Sequence, residues 1–142
     1  METKVKVYVA GKWSDRKQLQ LVMNDLRDLG FDVISGWVER EDRAYTPEAL
    51  GRCGKLDIDE VSECDVLLAV MNDPEYPYRG TYSEVGCALG LKKKVVVVCN
   101  GTSECKEDKY EFSHYCMRNV FYWHPSIVHV STIDEAIAAM KL

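Results

Sequence analysis

Apolar and polar residues alternate over residues 4–11, KVKVYVAG, with the two-residue period of a strand. The spacing then becomes helical. Leu19, Val22, Leu26 and Leu29 share one face, Ser14 or Asp15 offers an N-cap, and Gly30 is placed to end the helix at C′. Residues 31–37, FDVISGW, predict a second strand, and the charged residues 38–45 a loop. Thr46-Pro47 is a helix start, with Thr as cap and Pro at the first helical position. That helix is expected to reach about Glu63, broken near Gly51 and Gly54. The runs DVLLAVM (65–71) and KVVVVC (94–99) are almost wholly apolar, as in strands covered on both faces. Between them, a loop over 72–80 carries Pro74 and Pro77, and a helix is predicted from Thr81. Residues 100–118 are polar and uneven, and predict a surface excursion. IVHV (127–130) is a last short strand, and TIDEAIAAMKL (132–142) a closing helix capped by Ser131 or Thr132.

Strands that alternate with helices predict a parallel sheet with helices on both faces. Five such strands predict an α/β fold, a flavodoxin-like doubly wound five-stranded sheet. No repeat, linker or low-complexity tract divides the chain, so residues 1–142 are expected to form one domain. Such sheets bind ligands beyond the carboxyl ends of their strands, where the strand order switches. The loops at 10–14, 72–80 and 99–103 are the candidates.

The net charge of -5 argues against a nucleic-acid polymer as partner, because such proteins carry a basic face. A small anionic ligand needs only a local site. No apolar run approaches the ~20 residues that span a bilayer, so no membrane partner is expected. The N-terminus, METKVKVYVAG, lacks the apolar region of a signal peptide, which predicts a cytoplasmic protein. The six cysteines form no CxxC pair and are expected to be free thiols. Cys105, His114 and Cys116 fit none of the usual zinc spacings, so no metal is expected. His129 reads as a strand residue, and His114 and His124 as surface.

Candidate chemistry centres on Glu84. Thr81-x-x-Glu84 has the spacing of a capping box, in which each side chain bonds the other's backbone N–H. Spacing alone favours this cap over catalysis. The same carboxylate, if held ionised by the helix N-terminus, can stabilise an oxocarbenium ion or attack one. Asp73 follows a buried strand at the ligand-binding end, but Asn72-Asp73-Pro74 is also ordinary turn chemistry. Gly11 allows close backbone approach, and Trp13 can stack on a base. Tyr8 reads equally as core, and Lys12 as a solvated charge.

The segments VYVAGKW (7–13), the acidic loop after the third strand and GTYSEVGCALGLKKKVVVV (80–98) resemble the nucleoside 2-deoxyribosyltransferase family. The resemblance implies a retaining glycosyl transfer without metal or cofactor. Glu84 would be the nucleophile at C1′ of a 2′-deoxynucleoside, and a free nucleobase or water would resolve the glycosyl ester. Tyr8 would orient Glu84, Asp73 would contact and protonate the departing base, and Trp13 would lie near that base. Gly80 and Gly86 match the glycines that flank the nucleophile. Two departures follow. Tyr78 and Arg79 stand where bacterial members often carry a base-reading Asp. The partner subunit's contribution to the site finds only Ser126 as a positional counterpart. A homodimer or larger homo-oligomer is nonetheless implied. A related branch hydrolyses 2′-deoxynucleoside 5′-monophosphates, and Lys12, Ser14 and Arg79 are candidates to hold such a phosphate. A non-catalytic nucleotide-binding module is the alternative from another class.

Overall fold

The computed structural model describes residues 3–40, 45–99 and 115–141. Five strands form one sheet: β1 (Lys6–Ala10), β2 (Asp32–Val33), β3 (Val66–Val70), β4 (Lys94–Val98) and β5 (Val128–Val130). Their order is β2-β1-β3-β4-β5 and every pairing is parallel. This is the flavodoxin-like order. The helices are α1 (Arg16–Asp28), α2 (Pro47–Glu63), α3 (Arg79–Gly90) and α4 (Ile133–Met140). The chain crosses the sheet in opposite directions from β1 to β2 and from β3 to β4. Right-handed crossovers therefore set α1 and α3 on opposite faces. β3 and β4 lie inside the sheet, and Val66, Leu67, Leu68 and Ala69 are fully buried, as their apolar runs predict.

Several boundaries differ from expectation for visible reasons. β2 pairs over only Asp32–Val33, not 31–37. Beyond Ile34, side chains replace the ladder. Ser35 Oγ accepts the Val9 N–H at 3.0 Å, and Trp37 Nε1 donates to the Val9 carbonyl at 2.7 Å. The chain then turns through a 3-10 turn at Trp37–Glu39, so the expected loop begins with a turn. α1 begins after a 3-10 turn at Trp13–Asp15, and its N-cap Asp15 makes no side-chain cap bond. Its end is as expected. Gly30 has φ +96°, and Phe31 and Gly30 donate back to the Leu26 and Arg27 carbonyls. Leu29 is 60% exposed, and Met23 takes the core place beside Leu19 and Leu26.

α2 runs unbroken through Gly51 and Gly54. Each glycine costs a helix interior about 1 kcal/mol, which a helix of this length absorbs. Thr46 Oγ1 accepts the Ala49 N–H at 3.2 Å, the expected cap. At the far end, Thr132 rather than Ser131 caps α4, accepting from the Glu135 N–H at 3.1 Å. The expected excursion at 100–118 lies outside the described residues up to 114. Residues Tyr115–Met117 instead form a 3-10 turn with Cys116 and Met117 buried.

Candidate active site

The strand order switches between β1 and β3, and their carboxyl ends open a cleft there. An inner lobe of about 170 Å³ is lined by Tyr8, Gly11, Trp13, Trp37, Arg40, Cys53, Asp57, Gly80 and Glu84. An outer lobe of about 310 Å³ shares Gly11, Trp13 and Gly80 and adds Lys12, Tyr76 and Arg79. Gly11 lets the chain pass close to its neighbours where β1 leaves the sheet. A Cβ there would lie 2.6 Å from Leu19 Cδ1 and 3.3 Å from the Val70 carbonyl oxygen.

α3 starts at Arg79, two residues before the predicted start, and its N-cap is Tyr78 in the left-handed region at φ 50°. That conformation is costly for a bulky side chain. Three contacts hold it. The Tyr78 ring is buried, its hydroxyl accepts the Asp73 N–H at 3.0 Å, and its carbonyl accepts the Tyr122 hydroxyl at 3.1 Å. The shift overturns the capping box. Thr81 lies inside the first turn, and Glu84 is one turn beyond any cap. Glu84 instead accepts a hydrogen bond from the buried Tyr8 hydroxyl. The partners stand 76 positions apart in sequence and meet across β1 and α3.

The expected lowering of the Glu84 pKa by the helix N-terminus is also overturned. Its carboxyl is pushed up to about 8. Burial is the largest cause; the Tyr8 hydrogen bond opposes it, and the charges of Asp57 and Glu60 add to it. Glu84 is the sixth residue of α3, past the first turn where the helix dipole acts. Part of its surface still faces the cleft. Burial and the Glu84 charge both raise the Tyr8 pKa, so its hydroxyl stays protonated and donates.

Asp73 behaves as the turn residue its neighbours predict. Its Oδ1 accepts the Glu75 N–H at 3.0 Å. Its Oδ2 accepts from Lys12 Nζ at 2.9 Å, and that bond holds Asp73 below the ordinary carboxylate range. Lys12 lies 5.0 Å from the Tyr76 ring centroid. Asp73 lines neither lobe; it stands behind Lys12 at the mouth.

The structure thus brings Tyr8, Gly11, Trp13, Gly80 and Glu84 to the inner lobe and Lys12 to the outer one. It does not bring Ser126 there. Ser126 sits in the turn before β5, bonded to His124 Nδ1 through both its N–H and its Oγ. Sequence reasoning missed Trp37, Arg40 and Asp57. Trp37 and Arg40 follow β2, whose carboxyl end was not among the three candidate loops. A signal for Asp57 existed: Cys53, Asp57 and Glu60 recur at intervals of four and three and so share a face of α2. Cys105 and His114 lie outside the described residues, and no metal-ligand group of three or more occurs among the described ones. No helix among the described residues is long and apolar enough to cross a membrane.

The model of the family described as nucleoside 2-deoxyribosyltransferase matches residues 7–117. Solved structures that share the fold include the following three. A 2-deoxyribosyltransferase from Bacillus psychrosaccharolyticus is 20% identical, with a TM-score of 0.70 over 97% of both chains. A conserved protein from Enterococcus faecalis V583 is 16% identical, with a TM-score of 0.69 over 97% of this chain and 98% of that one. The CMP N-glycosidase of Clostridium botulinum is 21% identical, with a TM-score of 0.58 over 96% and 99%. No curated protein matches the chain.

Proposed function

The chain belongs to the nucleoside 2-deoxyribosyltransferase family, and on that premise we propose that it transfers 2-deoxyribose between nucleobases by retaining double displacement. The observation that carries this reading is the Tyr8 hydroxyl hydrogen-bonded to Glu84 within the cleft at the strand-order switch. A pure nucleotide-binding module has no use for a partly buried carboxylate held in this way. Burial of the carboxylate costs stability. The arrangement makes sense where that group reacts.

In the first step an ionised Glu84 oxygen attacks C1′. The N-glycosidic bond breaks, its electron pair stays on the base nitrogen, and a glycosyl ester forms. Tyr8 keeps the attacking carboxylate in one orientation. Asp73, held ionised by Lys12 beside the mouth of the cleft, serves there as the charge partner of Lys12, and the departing base nitrogen takes its proton from water. An incoming base reverses the sequence on the same face of the sugar. Lys12, Trp13, Gly11 and Gly80 line the path between the lobes. No metal or cofactor has a role in these steps.

The inner lobe alone is smaller than the ~300–1,000 Å³ of sites that hold a whole small ligand, so a nucleoside must span both lobes. We assign the whole chain to one domain and expect it to work as a homodimer in the cytoplasm, with the partner completing the open cleft. Val120 and Phe121, 78% and 50% exposed, supply an apolar surface for that contact. Ser126 follows in sequence on the same segment.

A second reading is hydrolysis of 2′-deoxynucleoside 5′-monophosphates. Lys12 and Arg79 on the outer lobe favour it, because both can face a phosphate. One assay separates the possibilities. Wild type and Glu84→Gln are incubated with each deoxynucleoside and deoxynucleotide, with and without an acceptor base. Transfer by the wild type and its loss by several orders of magnitude in a folded Glu84→Gln protein are expected. Hydrolysis confined to monophosphates establishes the second reading. Equal turnover by both proteins contradicts both.

A further inference from the structure

Glu84 reaches the cleft on α3, and the start of that helix is held from outside it. Thr46 and Thr132 begin α2 and α4 from extended backbone, and each caps its helix with its own side chain. Tyr78 does neither. It stands at φ 50° and ψ 51° and makes no side-chain cap bond. A left-handed backbone persists at a bulky residue only where its surroundings over-determine it. The next two residues, Arg79 and Gly80, are exposed and give the helix start no buried side chain. Thr81, Val85 and Ala88 are buried, so the core grips α3 only from its third residue onwards.

The hold on Tyr78 comes from two directions. Its ring is buried, and its hydroxyl accepts the Asp73 N–H at 3.0 Å. Its carbonyl accepts two bonds: the Tyr82 N–H at 3.1 Å within α3, and the Tyr122 hydroxyl at 3.1 Å from the segment before β5. The second bond fixes the direction of that carbonyl, and with it the ψ angle of Tyr78. Tyr122 is itself firmly placed. It lies in the 3-10 turn Val120–Trp123, is fully buried and lines neither lobe of the cleft. His129 Nε2 on β5 donates to its carbonyl at 2.6 Å, and the Trp123 ring stacks on His129 with centroids 4.9 Å apart. Burial keeps the Tyr122 hydroxyl protonated, so it donates.

We propose that Tyr122 is a positioning residue: by holding the Tyr78 carbonyl it sets the entry angle of α3, and so the seat of Glu84 against Tyr8. The inference rests on the reading of Glu84 as the reacting carboxylate. Glu84 is six residues past Tyr78, about 9 Å along the helix at roughly 1.5 Å per residue. A small change in entry angle therefore moves the carboxylate by a fraction of an ångström. Displacement on that scale matters at a reacting centre, where about 1 Å can cost on the order of a hundredfold in rate. Tyr122 acts through Tyr78 and α3, not on the substrate.

The test compares wild type, Tyr122→Phe and Thr132→Ala. Tyr122→Phe removes one hydroxyl and leaves the ring in place. Thr132→Ala removes the α4 cap, outside the cleft, and controls for lost stability alone. Transfer is measured at a temperature where all three stay folded. Tyr122→Phe is expected to lower kcat about tenfold with KM unchanged, and Thr132→Ala to alter neither. A second readout needs no turnover. The Glu84 carboxyl is titrated by NMR in protein carrying isotope-labelled glutamate, with Glu84→Gln identifying its signal. The Tyr8 bond lowers the Glu84 pKa, and Asp57, Glu60 and Arg40 also act on it. Tyr122→Phe leaves all four side chains in place, so a loosened Tyr8 bond should appear as a midpoint moved to higher pH. Should Tyr122→Phe not fold, His129→Ala, which releases the Tyr122 carbonyl, takes its place with the same shifts expected at smaller size. An unmoved midpoint in the folded variant overturns the proposal. So does an unchanged kcat in an active enzyme, or a loss of kcat that Thr132→Ala reproduces. If the wild type transfers no sugar, the glycosyl-transfer reading fails, and the midpoint alone decides the role of Tyr122.

Discussion

The Tyr8–Glu84 pair sets the pH behaviour of the site. A carboxyl raised to about 8 is mostly protonated at neutral pH, and only its ionised form attacks C1′. Transfer should therefore rise with pH through an ascending limb near 8, far above the ordinary carboxylate range. Tyr8→Phe removes a bond that lowers the Glu84 pKa, so the limb should move to higher pH as the maximal rate falls. A rate profile already flat above pH 6 would contradict both statements. The stability linkage has the opposite sense. A carboxyl with a folded pKa above its unfolded one stabilises the fold in acid, and that contribution is lost as pH rises to about 8. Glu84→Gln should accordingly gain in melting temperature over the wild type as pH increases. Spacing drew attention to Glu84 but favoured a cap that the structure does not form, and its partner was not legible at all. Nothing local links a strand tyrosine to a glutamate 76 positions away; only the family resemblance joined them. Arg40 and Asp57 escaped because a charged loop and a polar helix face look alike whether or not a cleft lies beside them.

Elements were legible where apolar periodicity was strong and misread where side chains overrode it. β3 and β4 match their runs to within one or two residues. β2 was cut short by Ser35 and Trp37, which take both backbone groups of Val9. α3 began early because Tyr78 accepts a left-handed backbone held by burial and two tyrosine hydrogen bonds, a choice that no propensity favours. In α2 the two glycines looked like breaks, yet the helix passes through them. At Gly51 and Gly54 an added Cβ meets nothing within 4 Å among the described residues. Gly51→Ala and Gly54→Ala should each stabilise the protein by about 0.5–1 kcal/mol. Denaturant unfolding measures this, and a loss of stability would mean that the open face of α2 is covered in solution.

At the scale of the molecule, the alternation of strands and helices was enough to predict the sheet, its parallel sense and its buried centre. It also predicted a ligand site beyond the carboxyl ends of the strands, with loops 10–14, 72–80 and 99–103 as candidates; the first two border the cleft, and residues 100–103 lie outside the described residues. What a single chain's pattern does not carry is assembly. Both lobes of the cleft are partly open, and Val120 and Phe121 are exposed on the segment leading to β5. Light scattering at micromolar concentration should give at least twice the 16.2 kDa chain mass. Val120→Asp with Phe121→Asp should reduce that mass to one chain. A wild-type monomer with full transfer activity would contradict the shared site.

The claim that Glu84 is the nucleophile is tested most directly by trapping the intermediate. A 2′-fluoro-2′-deoxynucleoside slows both steps, because fluorine at C2′ destabilises the oxocarbenium-like transition state. Digestion and mass spectrometry of the treated wild type should find one fluorinated sugar on the peptide containing Glu84. The same treatment of Glu84→Gln should find none. A sugar attached to any other residue, or base release with no adduct at all, would contradict the account.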